Sequence, residues 1–302
     1  MKKLSFHLAT RFAALTLILG ISFGSCKKAA DDFSYLADGE SVVDHADTET
    51  EFDDVDASSQ SSMSERGVFT ASGQAITRTG CPTVTLTATA PTVGSIVIDF
   101  GTGCRGRDGR IRKGIINVTY TGRYMDAGSV ITMIPSNYFV SSKLDSTKFN
   151  KLEGTRRVTN ITGATGNPKH RIEIIGGKRT SSTGDVFQWE ANRIREWSIG
   201  SATPLDAYDD EFTITNGNTN GTAGSGITRK NVAFTVTISP TKPVVIKTLC
   251  FLQGFLKPVS GVVTFASTDA SRTIDYGVGA CDRQITVTFE KNGRSYTVIV
   301  NR

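Results

Sequence analysis

The sequence predicts an all-β protein whose body is a large antiparallel meander, curled into a sandwich, an open barrel or a broad twisted sheet. Stretches that alternate apolar and polar residues recur along the body, and Thr83 to Ala90 and Phe187 to Ala191 are clear examples. Turn residues separate these stretches about every eight to fifteen residues, supplied largely by the chain's 30 glycines. No stretch after residue 26 keeps an apolar period of 3.6 over three turns, so no helix is expected there.

The N-terminus has the form of an export signal. A positively charged start precedes an apolar run of twelve residues, Phe12 to Phe23, which is too short to cross a bilayer comfortably as a helix. The run leads into Gly24-Ser25-Cys26, which resembles the lipobox of bacterial lipoproteins because small residues precede the cysteine. The resemblance implies that residues 1–25 are removed and that Cys26 carries the anchoring lipid. The alternative is an ordinary signal peptide with an incidental cysteine.

Residues 26–66 are predicted to be the lipidated cysteine followed by an acidic, disordered tether. From Lys27 to Arg66 the sequence has twelve acids against three bases and no hydrophobic period. Such a segment cannot bury enough apolar surface to offset the entropy lost on ordering. Residues 67–302 form the β-rich body, which carries seventeen acids against twenty-eight bases and is therefore basic.

The basic body suits an anionic partner, but the favoured alternative is a dispersed surface whose opposite charge is the protein's own acidic segment. The densest basic cluster lies in one loop and makes Arg105, Arg107 and Arg110 candidate binding residues. Trp189 and Trp197 are eight residues apart, so they share a face if their strand is regular. Paired tryptophans near arginines suit sugar stacking, and an ordinary core is the favoured alternative.

Two copies of one motif organise the body, one at Ile98 to Cys104 and one at Ile274 to Cys281. Each is an apolar–acid–aromatic strand end, then Gly-x-Gly, then a cysteine. Asp99 and Asp275 could form a pair for general acid–base chemistry. Because each acid has the same local setting, the favoured role is to cap its own Gly-x-Gly turn by accepting backbone N–H bonds. The repeat suggests two similar halves with a seam near residues 216–226.

Cysteine usage fits an oxidising compartment. If Cys26 carries lipid, four cysteines remain and three pairings are open. The repeated motif favours Cys81 with Cys104 and Cys250 with Cys281, because each half then closes its own loop by the same rule. Zinc is disfavoured as an alternative use of these cysteines, since the sequence has no Cys-x-x-Cys spacing.

Several kinds of chemistry lack their residues in this sequence. The body has a single histidine, His170, so a three-histidine zinc site is impossible there, and no metal or cofactor is expected. A Gly-x-Ser-x-Gly nucleophile elbow, a Gly-Lys-Thr phosphate loop and a His-Glu-x-x-His motif are also missing. The sequence therefore favours a protein that is not an enzyme.

Three stretches together resemble a family of Bacteroidota outer-membrane lipoproteins. They are Gly-Thr-Gly-Cys-x-Gly-x-Asp-Gly-Arg from Gly101 to Arg110, the stretch from Lys151 to Asn160, and Asp-Tyr-Gly-x-Gly-x-Cys-Asp from Asp275 to Asp282. The resemblance covers roughly residues 75–302. It implies a lipid-anchored protein of the outer membrane, on its periplasmic or its cell-surface face, and it supplies no catalytic residues.

Three classes of function follow from these observations. The favoured class is a non-enzymatic envelope protein with a binding or structural role, whose partner is a glycan or a protein rather than nucleic acid. A polysaccharide hydrolase would instead need two acids converging in a cleft at about 5–10 Å. A carrier of lipids or lipoproteins would need a concave apolar face that no second layer covers.

Overall fold

One long helix is followed by seventeen strands and one very short helix in the described part of the chain. The computed structural model describes residues 27–64, 75–90, 92–106, 108–142, 145–203, 206, 208–253, 255, 258–268 and 270–301. The predicted signal peptide and Cys26 lie outside these residues. The elements are α1 (Lys27–Ser64), β1 (Ala75–Arg78), β2 (Thr83–Ala90), β3 (Val93–Asp99), β4 (Cys104–Arg105), β5 (Ile111–Tyr120), β6 (Val130–Ser141), β7 (Phe149–Asn160), β8 (Lys169–Thr180), β9 (Val186–Ile199), β10 (Glu211–Asn216), β11 (Gly224–Ile227), β12 (Ala233–Ile238), β13 (Val244–Lys247), α2 (Thr248–Leu252), β14 (Ser260–Ser267), β15 (Ala270–Val278), β16 (Gln284–Lys291) and β17 (Arg294–Asn301).

All seventeen strands belong to one antiparallel sheet, which confirms the predicted meander. Strands β1, β2, β3 and β5 to β9 are neighbours in chain order, and β4 pairs beside β5. Strand β9 then pairs with β11 along its first half and with β10 along its second half. β11 continues to β12 and β10 to β13, and both rejoin at β14 before β15, β16 and β17. Within the described residues, β1 pairs with β2 alone and β17 pairs with β16 alone.

A line of bulges crosses the sheet from β5 to β9. The pairing register shifts at the same level in four successive strand pairs. Gly114, Asn137, Gly154 and Gly176 lie along this line, and all four have positive φ, which glycine and asparagine adopt most readily. A side chain at Gly114 would collide with the Asn137 carbonyl, and one at Gly154 would lie 2.7 Å from the Gly176 oxygen. Bulges bend strands, so this line is where the sheet curves.

Helix α1 stands where the sequence predicted a disordered tether and no helix, and both predictions are wrong there. Its side chains are described from residue 44, and the buried ones recur every three or four positions: Asp44, Thr48, Glu51, Phe52, Val55, Asp56, Ser59 and Ser62. With 3.6 residues per turn, these positions cover roughly 140° of the helix circumference. Because only Phe52 and Val55 among them are apolar, the buried stripe has no apolar period to reveal the helix.

The predicted seam near residues 216–226 is also wrong. Residues 39–302, which include the whole sheet, form one compact unit. The stretch 216–226 connects β10 to β11, and both strands pair with β9, so the sheet continues across it. Hydrogen bonds tie it in place, since the Gly217 N–H donates to the Asn192 carbonyl at 2.9 Å.

Both predicted disulfides are present. Cys81 pairs with Cys104 at a Cα–Cα distance of 5.5 Å, joining the loop before β2 to β4. Cys250 pairs with Cys281 at 5.2 Å, joining α2 to the turn after β15. Both distances are typical of disulfide bonds. Each bridge therefore closes one copy of the repeated motif.

The two repeated acids cap their own turns, as predicted. The Gly101 N–H donates to Asp99 Oδ1 at 2.7 Å, and the Gly277 N–H donates to Asp275 Oδ1 at 2.9 Å. Gly101 and Gly277 both have positive φ, which suits glycine in these tight turns. The motif is therefore a structural device at both sites.

Candidate binding site on the concave face

Arginines line the face of the sheet that α1 covers, which is named the concave face here. Five lie on or beside strands β5 to β9, and one lies between β11 and β12: Arg110, Arg112, Arg156, Arg179, Arg193 and Arg229. Strand alternation sends neighbours such as Arg157 to the opposite face. Arg156 is only 2% exposed, and a charge this deeply buried is costly unless it is paired.

Asp54 of α1 meets β5 and β6. Arg112 binds it with two guanidinium nitrogens, and Nε donates to Oδ2 at 2.9 Å. The hydroxyl of Tyr138 donates to the same Oδ2 at 3.1 Å. Burial and the Asp54 charge raise the pKa of Tyr138 well above its usual value, so it remains a protonated donor. Asp108 holds the other side of Arg112 at 2.8 Å.

Glu51, one turn earlier, is bound by residues of β7 and β8 and by the residue just before β5. Asn150 Nδ2 donates to Oε1 at 2.8 Å, and Arg110 Nη2 lies 3.6 Å from the same oxygen. Arg179 Nε lies 3.3 Å from Oε2. Burial raises the pKa of the Glu51 carboxyl, and the two arginines oppose that shift.

Asp44 begins the described part of this interface. Arg229 binds its carboxylate with two nitrogens, and Nε donates to Oδ2 at 2.6 Å. Arg179 Nη1 lies 3.4 Å from Asp44 Oδ1. Arg179 also reaches Asp47 at 3.5 Å. Asp44 thus ties β8 to the turn after β11.

The remaining acids meet β7 and β9. Arg156 lies 3.1 Å from Asp53 and 3.3 Å from Asp56, and Arg193 pairs with Glu49. Each acid from Asp44 to Asp56 therefore has an arginine of the sheet as a partner.

Aromatic side chains contact the other flank of α1. His45 packs edge-on against Trp189 and Phe265, with ring centroids 4.3 and 4.7 Å apart, and Phe234 stacks on Trp189. Burial and the nearby Arg193 lower the pKa of His45 to about 3, so the ring is neutral near pH 7. Its Nε2 is buried and has no hydrogen-bond partner among the described residues.

The hydrogen bonds of this interface are incomplete. Eleven buried side-chain polar atoms have no hydrogen-bond partner in the described part of the chain, and nine of them lie between α1 and the sheet. These nine belong to His45, Glu49, Glu51, Asp56, Arg156, Arg179, Trp189 and Arg193. The interface is therefore matched by charge more closely than by hydrogen-bond geometry.

A cavity of about 330 Å³ opens beside the C-terminal part of α1. Its walls come from the helix, from the loop after β5 and from strands β8, β9 and β10: Gln60, Tyr124, Met125, His170, Arg195, Trp197 and Phe212. The strand register brings several of these together, since Arg195 lies opposite His170 and Trp197 lies opposite Phe212.

Arg195 lies between two stacked aromatic pairs in this cavity. Tyr124 and His170 stack with centroids 4.2 Å apart, and Trp197 and Phe212 stack at 5.9 Å. Arg195 Nη2 donates to the Tyr124 hydroxyl, and its Cζ lies 5.6 Å from the Phe212 centroid. These contacts fix the position of the guanidinium group.

Arg195 differs from the arginines that α1 neutralises. Within the described ranges, no carboxylate lies within ion-pair distance of it. Burial lowers the pKa of His170, so that ring is neutral near pH 7. Arg195 is therefore the cation of the cavity.

The predicted basic residues have different environments. Arg105 is exposed, and its Nη1 donates to the Gly109 carbonyl at 2.7 Å within its own loop. Arg110 is buried against Glu51, while Arg107 lies outside the described residues. The structure therefore brings only Arg110 of the described pair to the concave face.

The two tryptophans share the concave face, as their spacing predicts. Trp189 is 1% exposed and belongs to the core, which is the alternative that the sequence favoured. Trp197 lines the cavity, and its Nε1 donates to Asp210 Oδ1 at 2.9 Å. The predicted sugar-stacking role is thus compatible with Trp197 alone.

Sequence reasoning did not select the residues that form most of this face. Arg156, Arg179 and Arg195 are missing from the predicted set, as are the acids of α1. A usable signal existed, because an acidic segment precedes a basic body of alternating strands. That signal matches the alternative in which the body's opposite charge is its own acidic segment.

The described residues contain no group of histidines, cysteines or carboxylates placed to hold a metal ion. No described helix is long and apolar enough to span a membrane. Comparisons of the chain with protein-family models, curated proteins and solved structures found no match.

Proposed function

We propose that the protein is a lipid-anchored, non-enzymatic binding protein of the cell envelope and that the part of its concave face that α1 leaves open recognises an anionic glycan. The observation that carries this proposal is the match between an array of arginines on the sheet and the row of acids on α1. A surface that holds carboxylates in this number is selective for anions. The signal-like N-terminus and Cys26 support the anchor.

The chemistry of the helix interface supports recognition more than stability. Replacing buried ion pairs by apolar residues of similar volume is often neutral or stabilising. Nine polar atoms at this interface lack a hydrogen bond, although some of them lie within ion-pair distance of an opposite charge, and this reduces the stabilising contribution of the interface further. Arginines in these positions therefore specify what the face accepts, and α1 is an internal example of an accepted anion.

Hydrolysis is less well supported by the same geometry. The acids of α1 that face the sheet each contact an arginine, for example Asp54 with Arg112. A glycoside hydrolase needs two carboxyl groups that face its substrate in a cleft, whereas these carboxylates are engaged by arginines at the interface between α1 and the sheet. Asp99 and Asp275 accept hydrogen bonds from their own turns.

A carrier function is also less well supported. Helix α1 covers the concave face, and arginines line it, so the described part of that face is not an open apolar surface. A larger cavity of about 860 Å³ spans β8, β9, β11, β12 and β14. Its walls mix apolar groups with charged and polar ones such as Lys178, Gln188 and Glu190.

The test uses the full chain with Cys26→Ser. This variant should move from the membrane to the soluble fraction and lose the lipid mass, and unchanged fractionation would contradict the anchor. The soluble variant should then bind polygalacturonate but not uncharged dextran, with affinity that falls as salt rises. Equal binding of both polymers, or no binding of polygalacturonate at low salt, would contradict anion recognition.

A further inference from the structure

We propose that the cavity around Arg195 is a subsite for one carboxylated sugar ring. This proposal rests on the proposed function and gives the glycan a place on the protein. The feature that motivates the proposal is the difference between Arg195 and the six arginines that α1 neutralises. Arg195 lies on the same face, yet the described residues leave it without a carboxylate. An anionic ligand would complete the pattern that α1 establishes elsewhere.

The size of the cavity suits one sugar ring. At about 330 Å³ it lies at the lower end of the range of roughly 300–1,000 Å³ for small-ligand sites. A single ring fits such a space, whereas a longer glycan would extend out of it. A monomeric acid and a polymer carrying the same acid are therefore expected to share the subsite.

The walls offer the two kinds of contact that an acidic sugar needs. The guanidinium group of Arg195 presents a planar fork of donors that matches a carboxylate. Aromatic rings of Tyr124, Trp197 and Phe212 flank it and provide faces for the apolar side of a pyranose ring. A neutral sugar would use the aromatic faces alone and would leave the cation without a partner.

The subsite is held in place before any ligand arrives. Arg195 is on β9, which pairs with β8 on one side and with β10 on the other. Its hydrogen bond to the Tyr124 hydroxyl orients the guanidinium group. Trp197 is fixed by its bond to Asp210 at 2.9 Å. Side chains fixed on strands lose little freedom on binding, which favours affinity.

The experiment titrates the soluble Cys26→Ser chain with galacturonate, galactose and benzoate, followed by calorimetry and by tryptophan fluorescence. Galacturonate should bind at least about tenfold more tightly than galactose, because only the acid forms charge-assisted hydrogen bonds with Arg195. Arg195→Gln should remove that preference. Arg195→Lys keeps the charge without the planar fork and should retain part of it.

Arg157→Gln is the matched control. Arg157 is a strand arginine that pairs with Glu173 at 2.8 Å on the other face of the sheet, so its loss should leave galacturonate binding unchanged. Thermal unfolding of every variant identifies any failure to fold. If Arg195→Gln does not fold, Arg195→Lys and the ligand series on the unaltered cavity still decide the question.

Each outcome has a distinct meaning. Equal affinity for galacturonate and galactose would overturn the role of Arg195. Tighter binding of benzoate with the same dependence on Arg195 would overturn the sugar and indicate an aromatic acid. If Arg195→Gln keeps full affinity for polygalacturonate, the cavity is not the subsite, although the proposed function stands. Absence of polygalacturonate binding by every variant would reject the proposed function itself.

Discussion

Helix α1 packs against two walls of different chemistry. The charged wall consists of arginines on β5, β7 and β8 that meet acids of the helix: Arg112, Arg156 and Arg179. The aromatic wall consists of rings on β9, β12 and β14 that surround His45: Trp189, Phe234 and Phe265. In the charged wall each buried group depends on partners of opposite sign. In the aromatic wall packing depends on shape and on the neutral state of one ring.

This difference means that the two walls fail in different ways. Truncating one member of the charged wall leaves an uncompensated charge inside the protein, and the cost of that charge is large. The aromatic wall contains no fixed charge, so it tolerates the loss of a partner better and instead responds to protonation of His45. Substitution probes the first wall, and pH probes the second.

The largest effect is expected for Arg156→Ala in the charged wall. The substitution leaves the buried Asp56 without its arginine, and we expect a loss of about 3–5 kcal/mol in the free energy of unfolding. Chemical denaturation of the soluble chain measures it. Arg157→Ala is the control on the adjacent residue, whose exposed ion pair contributes about 0–1 kcal/mol. Similar losses for both variants would show that burial does not distinguish the two pairs.

An intermediate effect on the free energy of unfolding is expected when the pH is lowered, because His45 lies in the aromatic wall. The pKa of His45 is about 3 in the folded protein and near 6.5 when unfolded, so the unfolded chain binds the extra proton between these values. Stability contributed by the neutral ring is complete above pH 6.5 and falls as pH drops. We expect a loss of about 2 kcal/mol between pH 7 and pH 5.

His45→Phe isolates this effect, because phenylalanine keeps a ring between Trp189 and Phe265 and does not titrate. Burial also lowers the pKa of His170 and raises the pKa of Glu51, so both groups contribute to the pH dependence of stability. Only the difference between the unaltered chain and His45→Phe is therefore informative. Unfolding free energies at several pH values measure that difference. Identical pH profiles would show that His45 is not buried as described.

The smallest effect is expected for Tyr138→Phe, which tests the edge of the charged wall. The variant removes a hydrogen bond to Asp54 but leaves the two bonds from Arg112. We expect a loss of about 1.5 kcal/mol in the free energy of unfolding, because the acceptor keeps its charged partner. A loss as large as that of Arg156→Ala would mean that Arg112 does not satisfy Asp54 by itself.

Local patterns predicted much of the sheet and its turns. The alternation in β2, the disulfide pairs and the capping role of Asp99 depend on residues close in sequence or on a repeated motif. These features could therefore be read before the structure was known. The place where the sheet curves was not predicted, because its bulges appear only when the strands are paired in register.

Helix α1 and the cavity required long-range information. The partner of Asp44 lies 185 residues away at Arg229, so the helix looks like a disordered acidic segment until the sheet is in place. The cavity combines Tyr124, His170 and Arg195 from three different elements. Of its walls only Trp197 was predicted to be a binding residue, and the neighbours of Trp197 follow from the register of β9 with β8 and β10.

The line of bulges at Gly114, Asn137, Gly154 and Gly176 separates the curvature of the sheet from the charge of its lining. Backbone conformation at these four positions sets the curvature, whereas alternating side chains elsewhere on the strands set the charge. Substitutions at the arginine positions are therefore expected to change the charge of the concave face without straightening the sheet. The same scaffold can present a cationic, neutral or acidic lining, provided that the segment it encloses changes to match.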